Sequence, residues 1–384
     1  MYGFLRRASR LIKGISPKFY DFCLNLATLW LLPKARDIRP EANDPVWVVG
    51  CFKSPTGLGE GVRLYFQELA ECGLKAGTSG ATYAVNIERP GEIDGLFQGR
   101  LFTPQDPPEA PRRGTVVFHC NPPVLLWALY SCRRFLTNKR VIGFLLWELE
   151  MVPDSWRRVL SKLDEVYCPS VFAAEAVRKA TVKPVSVRPY RLPERPVIAR
   201  SFAEDGVVRV LSIFDLGSNF YRKNPLAAVR AFNQAYGPGP GAELTLKAGS
   251  VENHPREWAL LQEAIEGAPN IKALTSPLDG AGLRALYGGA DIYLSLHRSE
   301  GYGLTLREAM AYGLEVVATG WSANVDFMAG PKCHAVSFKL VPVDDPSGFY
   351  ARDQRWAEAD VDEAAGILRA LADKKRPGLE RLKA

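Results

Sequence analysis

A chain of 384 residues exceeds what one hydrophobic core usually supports, so two domains are expected. Its 47% hydrophobic content is that of a globular protein, and its seven scattered cysteines, odd in number and without a CxxC pair, argue against a disulfide framework or zinc site and for a reducing compartment. The net charge of +7 does not describe a duplex-binding face, because residues 1–40 hold eight Lys and Arg against two Asp and so carry +6 of it.

That arm has a pattern of its own. Leu5, Ala8, Leu11, Ile12 and Ile15 recur at helical spacing, while Arg6, Arg7, Arg10 and Lys13 take other faces. Such a helix can lie on an anionic membrane surface or pack its apolar face on the folded body, and both readings stand. The uncharged run from Phe22 to Pro33 has twelve residues, short of the ~20 needed to span a bilayer. The long charged lead-in makes a poor cleavable signal peptide, which favours a cytoplasmic protein.

Globular structure is expected from the apolar strand Pro45 to Gly50. A glycine loop, Gly57-Leu58-Gly59-Glu60-Gly61, follows, then a helix from about Glu60 to Cys72. Strand, glycine loop and helix form the opening of a Rossmann-like unit, in which backbone N–H groups approach a phosphate. The spacing departs from the dinucleotide fingerprint, which disfavours an NAD site. Three further runs, Thr115–Pro123, Arg140–Glu150 and Asp164–Ser170, each pass from apolar to polar and lead into helix-like segments, the rhythm of a parallel sheet. His119 stands at one strand end. Trp147, Glu148 and Glu150 stand at another, an aromatic beside carboxylates that suits a sugar acceptor.

The proline-rich stretch Lys183 to Gly206 reads as the connection between domains. A second sheet opens with Val207–Asp215, runs through Ser218 to Arg222-Lys223-Asn224-Pro225, and enters a helix from Leu226 to Ala235 with Asn224 as its cap. Two cations before a helix N-terminus make a site for a diphosphate. Strands Leu244–Ala248 and Ile271–Thr275 follow. Asp360-Val361-Asp362 is the DxD-like string; it falls at a helix start far from these loops, where carboxylates are ordinary, so no metal is assigned. Tyr350 to Ala372 reads as closing helices.

The densest signal is Ser295 to Gly313. The apolar run Ile292–Leu296 is a buried strand, Gly301 and Gly303 permit a tight turn, and Leu304 to Tyr312 is helical and closed by Gly313. Glu300 falls in the turn and Glu308 on the helix. Carboxylates beside amide donors and an anion site call for a ligand with both hydroxyls and phosphates, as a sugar nucleotide has. Beyond the next strand, Thr319 to Asp326 forms a polar loop with Ser322 and Asn324 placed to add N–H donors.

Glu300 and Glu308, separated by seven residues in SEGYGLTLREAMAYG, resemble the EX7E signature of retaining GT-B glycosyltransferases of the family 4 type, and RKNP resembles the diphosphate-binding Arg/Lys of that family. The resemblance covers roughly residues 45 to 370 and implies an α/β protein of GT-B type, two Rossmann-like domains with parallel sheets facing across a cleft. Beside the basic arm at 1–40, it implies an acceptor-side domain at 41–195, a nucleotide-sugar domain at 196–350 and C-terminal helices at 351–384 that cross back to the first domain.

It further implies transfer of a hexose, with retention, from a nucleotide diphosphate sugar to a glycan or lipid-linked acceptor in surface or exopolysaccharide synthesis, with no cofactor and no metal. Glu300 would hold donor hydroxyls, Glu308 the ribose, Lys223 and Arg222 the leaving diphosphate, and His119 would approach the donor sugar. Gly57, Gly59, Ser218, Thr275, Gly301, Tyr302, Gly303, Leu304, Ser322 and Asn324 would line the donor site, and Glu60, Trp147 and Glu148 the acceptor side. A GT-B epimerase or phosphorylase, or a non-catalytic sugar or membrane-surface binding protein, is the alternative. A phosphorylase would need a lysine for pyridoxal phosphate, and no residue marks itself as that lysine.

Overall fold

The computed structural model describes residues 41, 44–76, 82–87, 113–122, 124–133, 135–194, 202 and 205–375. The basic arm lies outside them. Two compact units result, the first ending at Arg191 and the second beginning at Leu192, with Trp147–Glu150 and Ser170–Ala173 grouped with the second.

The first unit is built on a parallel sheet of β1 (Val46–Gly50), β2 (Thr82–Asn86), β3 (Thr115–His119), β4 (Arg140–Phe144), β5 (Glu165–Cys168) and β6 (Val185–Val187), in the order β2-β1-β3-β4-β5-β6. Its strands read as continuous apolar runs because both faces are covered: Val48, Val116, Val117, Phe118, Ile142 and Val166 are all buried. Helix α1 (Gly57–Ala76) follows β1, α2 (Val124–Cys132) follows β3, α3 (Trp156–Leu160) precedes β5 and α4 (Val171–Arg178) follows it. The strand β6 lies inside the stretch expected to be a linker, where Val185 and Val187 pair with β5. The contact boundary accordingly falls at 191/192, four residues before the expected one.

The second unit repeats the plan. Its strands are β7 (Val208–Asp215), β8 (Ala242–Gly249), β9 (Ile271–Leu274), β10 (Ile292–Ser295), β11 (Glu315–Thr319) and β12 (Cys333–Val336), all parallel, in the order β12-β11-β10-β7-β8-β9. Order reverses between β7 and β10, the place in a doubly wound sheet where ligands bind beyond the carboxyl ends. Helices α5 (Phe220–Lys223) and α6 (Pro225–Tyr236) follow β7, α7 (Pro255–Ile265) follows β8, α8 (Gly280–Gly288) follows β9 and α9 (Leu304–Ala311) follows β10.

Alternation along the strands divides the core. Ile292, Leu294 and Val317 pack with Ala228 and Phe232 of α6, while Tyr293, Val316 and Ala318 pack on the other face with Leu306 and Ala309 of α9. The strands are long enough to fix where their loops end, and those loops carry the site.

The C-terminal segment departs from the helical expectation. Residues Arg355–Ala359 form β14, antiparallel to β13 (Phe338–Pro342), because Trp356, Ala357 and Ala359 bury on an extended chain. Only α10 (Val361–Lys375) is helical, and Ala364, Leu368 and Leu371 join the core of the second unit beside α6. It belongs to that unit, and residues 376–384 lie outside the described ones. The DxD-like string begins this helix as expected: Asp360 Oδ1 accepts from Glu363 N at 3.0 Å and Asp362 Oδ1 from Gln234 Nε2 at 2.5 Å.

Candidate functional site

The switch point of the second sheet brings together the loops after β7 and β10. After β7, Asp215 Oδ1 accepts the N–H of Gly217 at 2.7 Å and folds Leu216–Ser218 into a turn. Asn219, at φ 72°, accepts the N–H of Arg222 on its side chain at 2.9 Å and starts the single turn of α5. Asn224, left-handed at φ 49°, ends that turn, and Pro225 opens α6. The side chain of Asn224 does not cap α6 as the sequence suggested. It donates to Leu296 O at 3.1 Å instead, tying this loop to the one after β10.

Arg222 points into that second loop. Its Nη1 donates to Ser299 O and its Nη2 to Ser218 O, both at 2.7 Å. Lys223 Nζ lies 2.5 Å from Glu300 Oε1 and Arg222 Nη1 3.2 Å from Glu300 Oε2. Burial alone would push the Glu300 carboxyl up, but Lys223 and Arg222 overcome it and hold the group at about 2. Burial pulls the Lys223 ammonium down, and the Glu300 carboxylate opposes it. Ser218, Arg222, Lys223 and Glu300, read separately along the sequence, are one cluster.

Glu300 is fixed by its backbone. Its N–H donates to Ser322 Oγ at 2.8 Å, and its carbonyl accepts from Ala323 N at 3.3 Å. Asn324 is fully buried: its Oδ1 pairs with His297 Nε2 at 2.9 Å and its Nδ2 donates to Thr319 O at 2.9 Å. Ser322 and Asn324 thus shape the Glu300 turn from behind. Gly301 passes close to Trp147, where an added Cβ would lie 3.2 Å from Trp147 O, and Gly303 adopts φ 88° to turn into Leu304 and α9. Tyr302 packs on Phe327 at 5.5 Å. One helical turn on, Glu308 Oε2 accepts from Tyr287 OH at 2.9 Å. Thr275 follows the edge strand β9 and is half-buried.

Glu148 was expected on the acceptor side; its partner Tyr350 was not foreseen. Tyr350 OH donates to Glu148 Oε2 at 3.2 Å, and the Glu148 carbonyl accepts from Ser299 Oγ, so the residue before Glu300 holds this segment. Burial raises the Glu148 carboxyl, with Arg222 acting against it and Glu300 with it. Asn219, His297, Ser299 and Tyr350 escaped sequence reasoning; His297 and Ser299 lie within the densest motif, whereas Tyr350 carries no local signal.

The remaining residues belong to the first unit. Glu60 pairs with Arg63 Nη2 at 2.7 Å, and Arg63 Nη1 also donates to Phe52 O and Ser54 O at 2.6 and 3.0 Å, a stitch across the loop that the sequence did not announce. Gly57 has open space at its Cβ position, whereas at Gly59 an added Cβ would lie 2.2 Å from Ser54 O. His119 ends β3 beside Gly50 of β1, fully buried, with Nε2 2.8 Å from Tyr190 OH and its ring stacked on Phe144 at 4.6 Å. Burial lowers its pKa to about 3, so the ring is neutral.

Two cations, a carboxylate they hold ionised, and a second carboxyl beside them can neutralise a diphosphate while accepting hydrogen bonds from hydroxyls. Residues 216–356, which contain all of these groups except Glu148, match the model of the family described as Glycosyl transferases group 1. No curated protein matches the chain. Among solved structures, Anabaena Alr3699/HepE in complex with UDP and glucose is similar at a TM-score of 0.57 and 11% identity, covering 86% of this chain and 95% of that one. A trehalose-6-phosphate synthase studied for glycosyltransfer with retention reaches 0.55 at 13% identity, over 86% and 92%. The apo lipopolysaccharide outer core galactosyltransferase WaaB reaches 0.52 at 12%, over 86% and 90%. The chain spans about half the length of two larger structures, pneumococcal GtfA (51%) and S. aureus TarM (48%). Its two parallel six-stranded sheets, flanked by helices, have the GT-B fold of these glycosyltransferases.

Proposed function

We propose that the protein is a retaining, metal-independent glycosyltransferase that moves a hexose from a nucleotide diphosphate sugar to a hydroxyl of a glycan or lipid-linked acceptor, in the synthesis of a cell-surface or exopolysaccharide. The observation that carries this reading is the buried cluster of Lys223, Arg222 and Glu300 at the switch point.

Lys223 and Arg222 take the charge of the departing diphosphate, the role a divalent ion plays elsewhere. Glu300 accepts hydrogen bonds from donor hydroxyls and Glu308 from the ribose. The bond between the anomeric carbon and the phosphate oxygen breaks as the bond to the acceptor oxygen forms on the same face, and the acceptor proton passes to the departing phosphate oxygen. No side-chain base is needed for that step. On the acceptor side this reading keeps Glu60, Trp147 and Glu148. The protein works in the cytoplasm, and its basic arm brings it to the inner face of the membrane. Among the described residues no helix is long and apolar enough to cross a membrane.

The test is a screen of UDP, GDP and ADP sugars by thermal shift, followed by NMR of the product and repetition in EDTA. A donor at 100 times its dissociation constant adds about 2.7 kcal/mol to stability. An unshifted transition with every donor, an inverted anomeric centre, or activity abolished by EDTA overturns the corresponding part of the reading.

A further inference from the structure

The sequence places an aromatic of the acceptor side at Trp147, but that ring is covered, at 3% exposure. Two rings lie near it, Phe349 at 6.3 Å and Tyr350 at 5.7 Å between centroids. Tyr350 is also buried and directs its hydroxyl to Glu148. Phe349 is the member of the group that faces solvent, at 65% exposure, set edge-on against Tyr350 at 4.8 Å.

An exposed ring on a loose loop would mean little. This one rides on a tip held in one shape by the buried carboxylate of Asp345. Its Oδ1 accepts from Ser347 N at 3.0 Å and Ser347 Oγ at 2.7 Å, and its Oδ2 accepts from Phe349 N and Tyr350 N at 3.0 Å each. Asn219 Nδ2 donates to Ser347 Oγ at 3.1 Å, so the tip is tied to the residue that also receives the N–H of Arg222. The chain thus fixes a large apolar face in water, next to Glu148 and on the network of the cations assigned to the diphosphate. Burial of that face on a ligand would be favourable, and the ring is already ordered for it.

Tyr350, edge-on to Phe349, bonds its hydroxyl to Glu148, so the exposed apolar ring stands beside a carboxylate–hydroxyl pair. That combination suits a pyranose, whose C–H face buries on an aromatic while its hydroxyls bond to nearby polar groups. We infer that Phe349, carried on the Asp345–Tyr350 tip and backed by Trp147, is the stacking platform for the acceptor, whose reacting end is a pyranose of a glycan. The inference rests on the glycosyltransfer reading and deepens it by naming the acceptor class. A single ring suits one sugar face; an aliphatic chain would need a continuous groove.

Saturation-transfer NMR on the full chain tests it, with the methyl glycosides of glucose, galactose, mannose and N-acetylglucosamine and with octyl glucoside, in the presence of UDP, GDP or ADP. At least one methyl glycoside is expected to show saturation concentrated on the C–H protons of one ring face. Phe349→Ala should weaken that binding about tenfold, and Phe349→Trp should keep it. The ring is exposed, so the alanine variant should unfold at the native temperature. No saturated methyl glycoside, unchanged saturation in Phe349→Ala, or saturation confined to the alkyl protons of octyl glucoside would overturn the platform. A native chain whose unfolding temperature moves with none of the three nucleotides fails at the earlier level, the glycosyltransfer reading, and the platform falls with it; a native chain that a nucleotide stabilises but whose glycoside saturation is absent or unchanged in Phe349→Ala isolates the fault in the platform.

Discussion

Lys223 Nζ meets Glu300 Oε1 at 2.5 Å across a sequence separation of 77 residues, and both side chains are largely buried. A buried ion pair is weak evidence for stability as such, yet removing one member leaves the other charged and poorly solvated. Lys223→Ala should therefore destabilise the second unit by about 3 kcal/mol in urea unfolding. If Lys223 meets the leaving diphosphate as proposed, the same change should slow transfer by at least about 100-fold. In Lys223→Ala/Glu300→Gln the stability costs should fall short of additive. Additive costs in the double variant would mean that the two groups are not coupled.

The same pair predicts an acid limb. The carboxyl of Glu300 sits at about 2 in the folded protein against an ordinary value of 4.5, so the stability it contributes is full above 4.5 and is lost as pH falls through about 2. Between pH 5 and pH 3.5 the native protein should lose about 1 kcal/mol more than Glu300→Gln. Parallel curves for the two proteins would show that Glu300 is not held ionised by its neighbours.

His119 should act in a different window. Burial depresses its pKa from 6.5 to about 3, so the folded state refuses a proton that the unfolded chain accepts. Stability from this group is present above 6.5 and falls as pH drops toward 3, by about 2 kcal/mol between pH 7 and pH 5. His119→Gln should flatten that part of the curve in the first unit. An imidazole resonance of His119 that titrates near its ordinary value would contradict the burial argument.

Much of this architecture was legible because parallel strands are buried on both faces and read as plain apolar runs. Val208–Asp215 and Ile292–Ser295 fell within a residue or so of the sequence reading. The juxtaposition of Lys223 and Glu300 was legible for a different reason: these charges follow two strands that a doubly wound sheet brings side by side. What escaped was tertiary. Arg355–Ala359 carries alternating alanines that suit a helix, but Trp356 and Ala357 gain more by burying on a hairpin. Tyr350 finds Glu148 across 202 residues, a pairing that no local pattern announces. Asn224 has the composition of a cap and spends its side chain on Leu296 O instead.

The glycines expected to form a loop instead open helix α1, and two of them offer a paired comparison. At Gly57 an added methyl meets open space, whereas at Gly59 it would press on Ser54 O and Cys51 O, which are backbone atoms and cannot rotate away. Gly57→Ala should leave stability within about 0.5 kcal/mol, and Gly59→Ala should cost about 2 kcal/mol or more. Equal costs would mean that the start of α1 relaxes around either change. Any loss of donor binding in Gly57→Ala at unchanged stability would then report on a ligand contact rather than on folding.

Glu308 supplies the last comparison, because its carboxylate is both oriented and buried. Tyr287 OH donates to Glu308 Oε2 at 2.9 Å, and the Tyr287 ring is itself clamped by stacking on Tyr312 at 5.1 Å. Tyr287→Phe keeps the clamp and removes the hydroxyl, leaving a buried carboxylate one hydrogen bond short, at a cost of about 1–3 kcal/mol. If Glu308 holds the ribose, the same change should weaken nucleotide binding about fivefold, since the charge survives and only its orientation loosens. Glu308→Ala should weaken it further and erase any preference for UDP over 2′,3′-dideoxy-UDP, measured by calorimetry. A preference that persists in Glu308→Ala would place the ribose on another residue and leave Tyr287 and Glu308 as a structural pair.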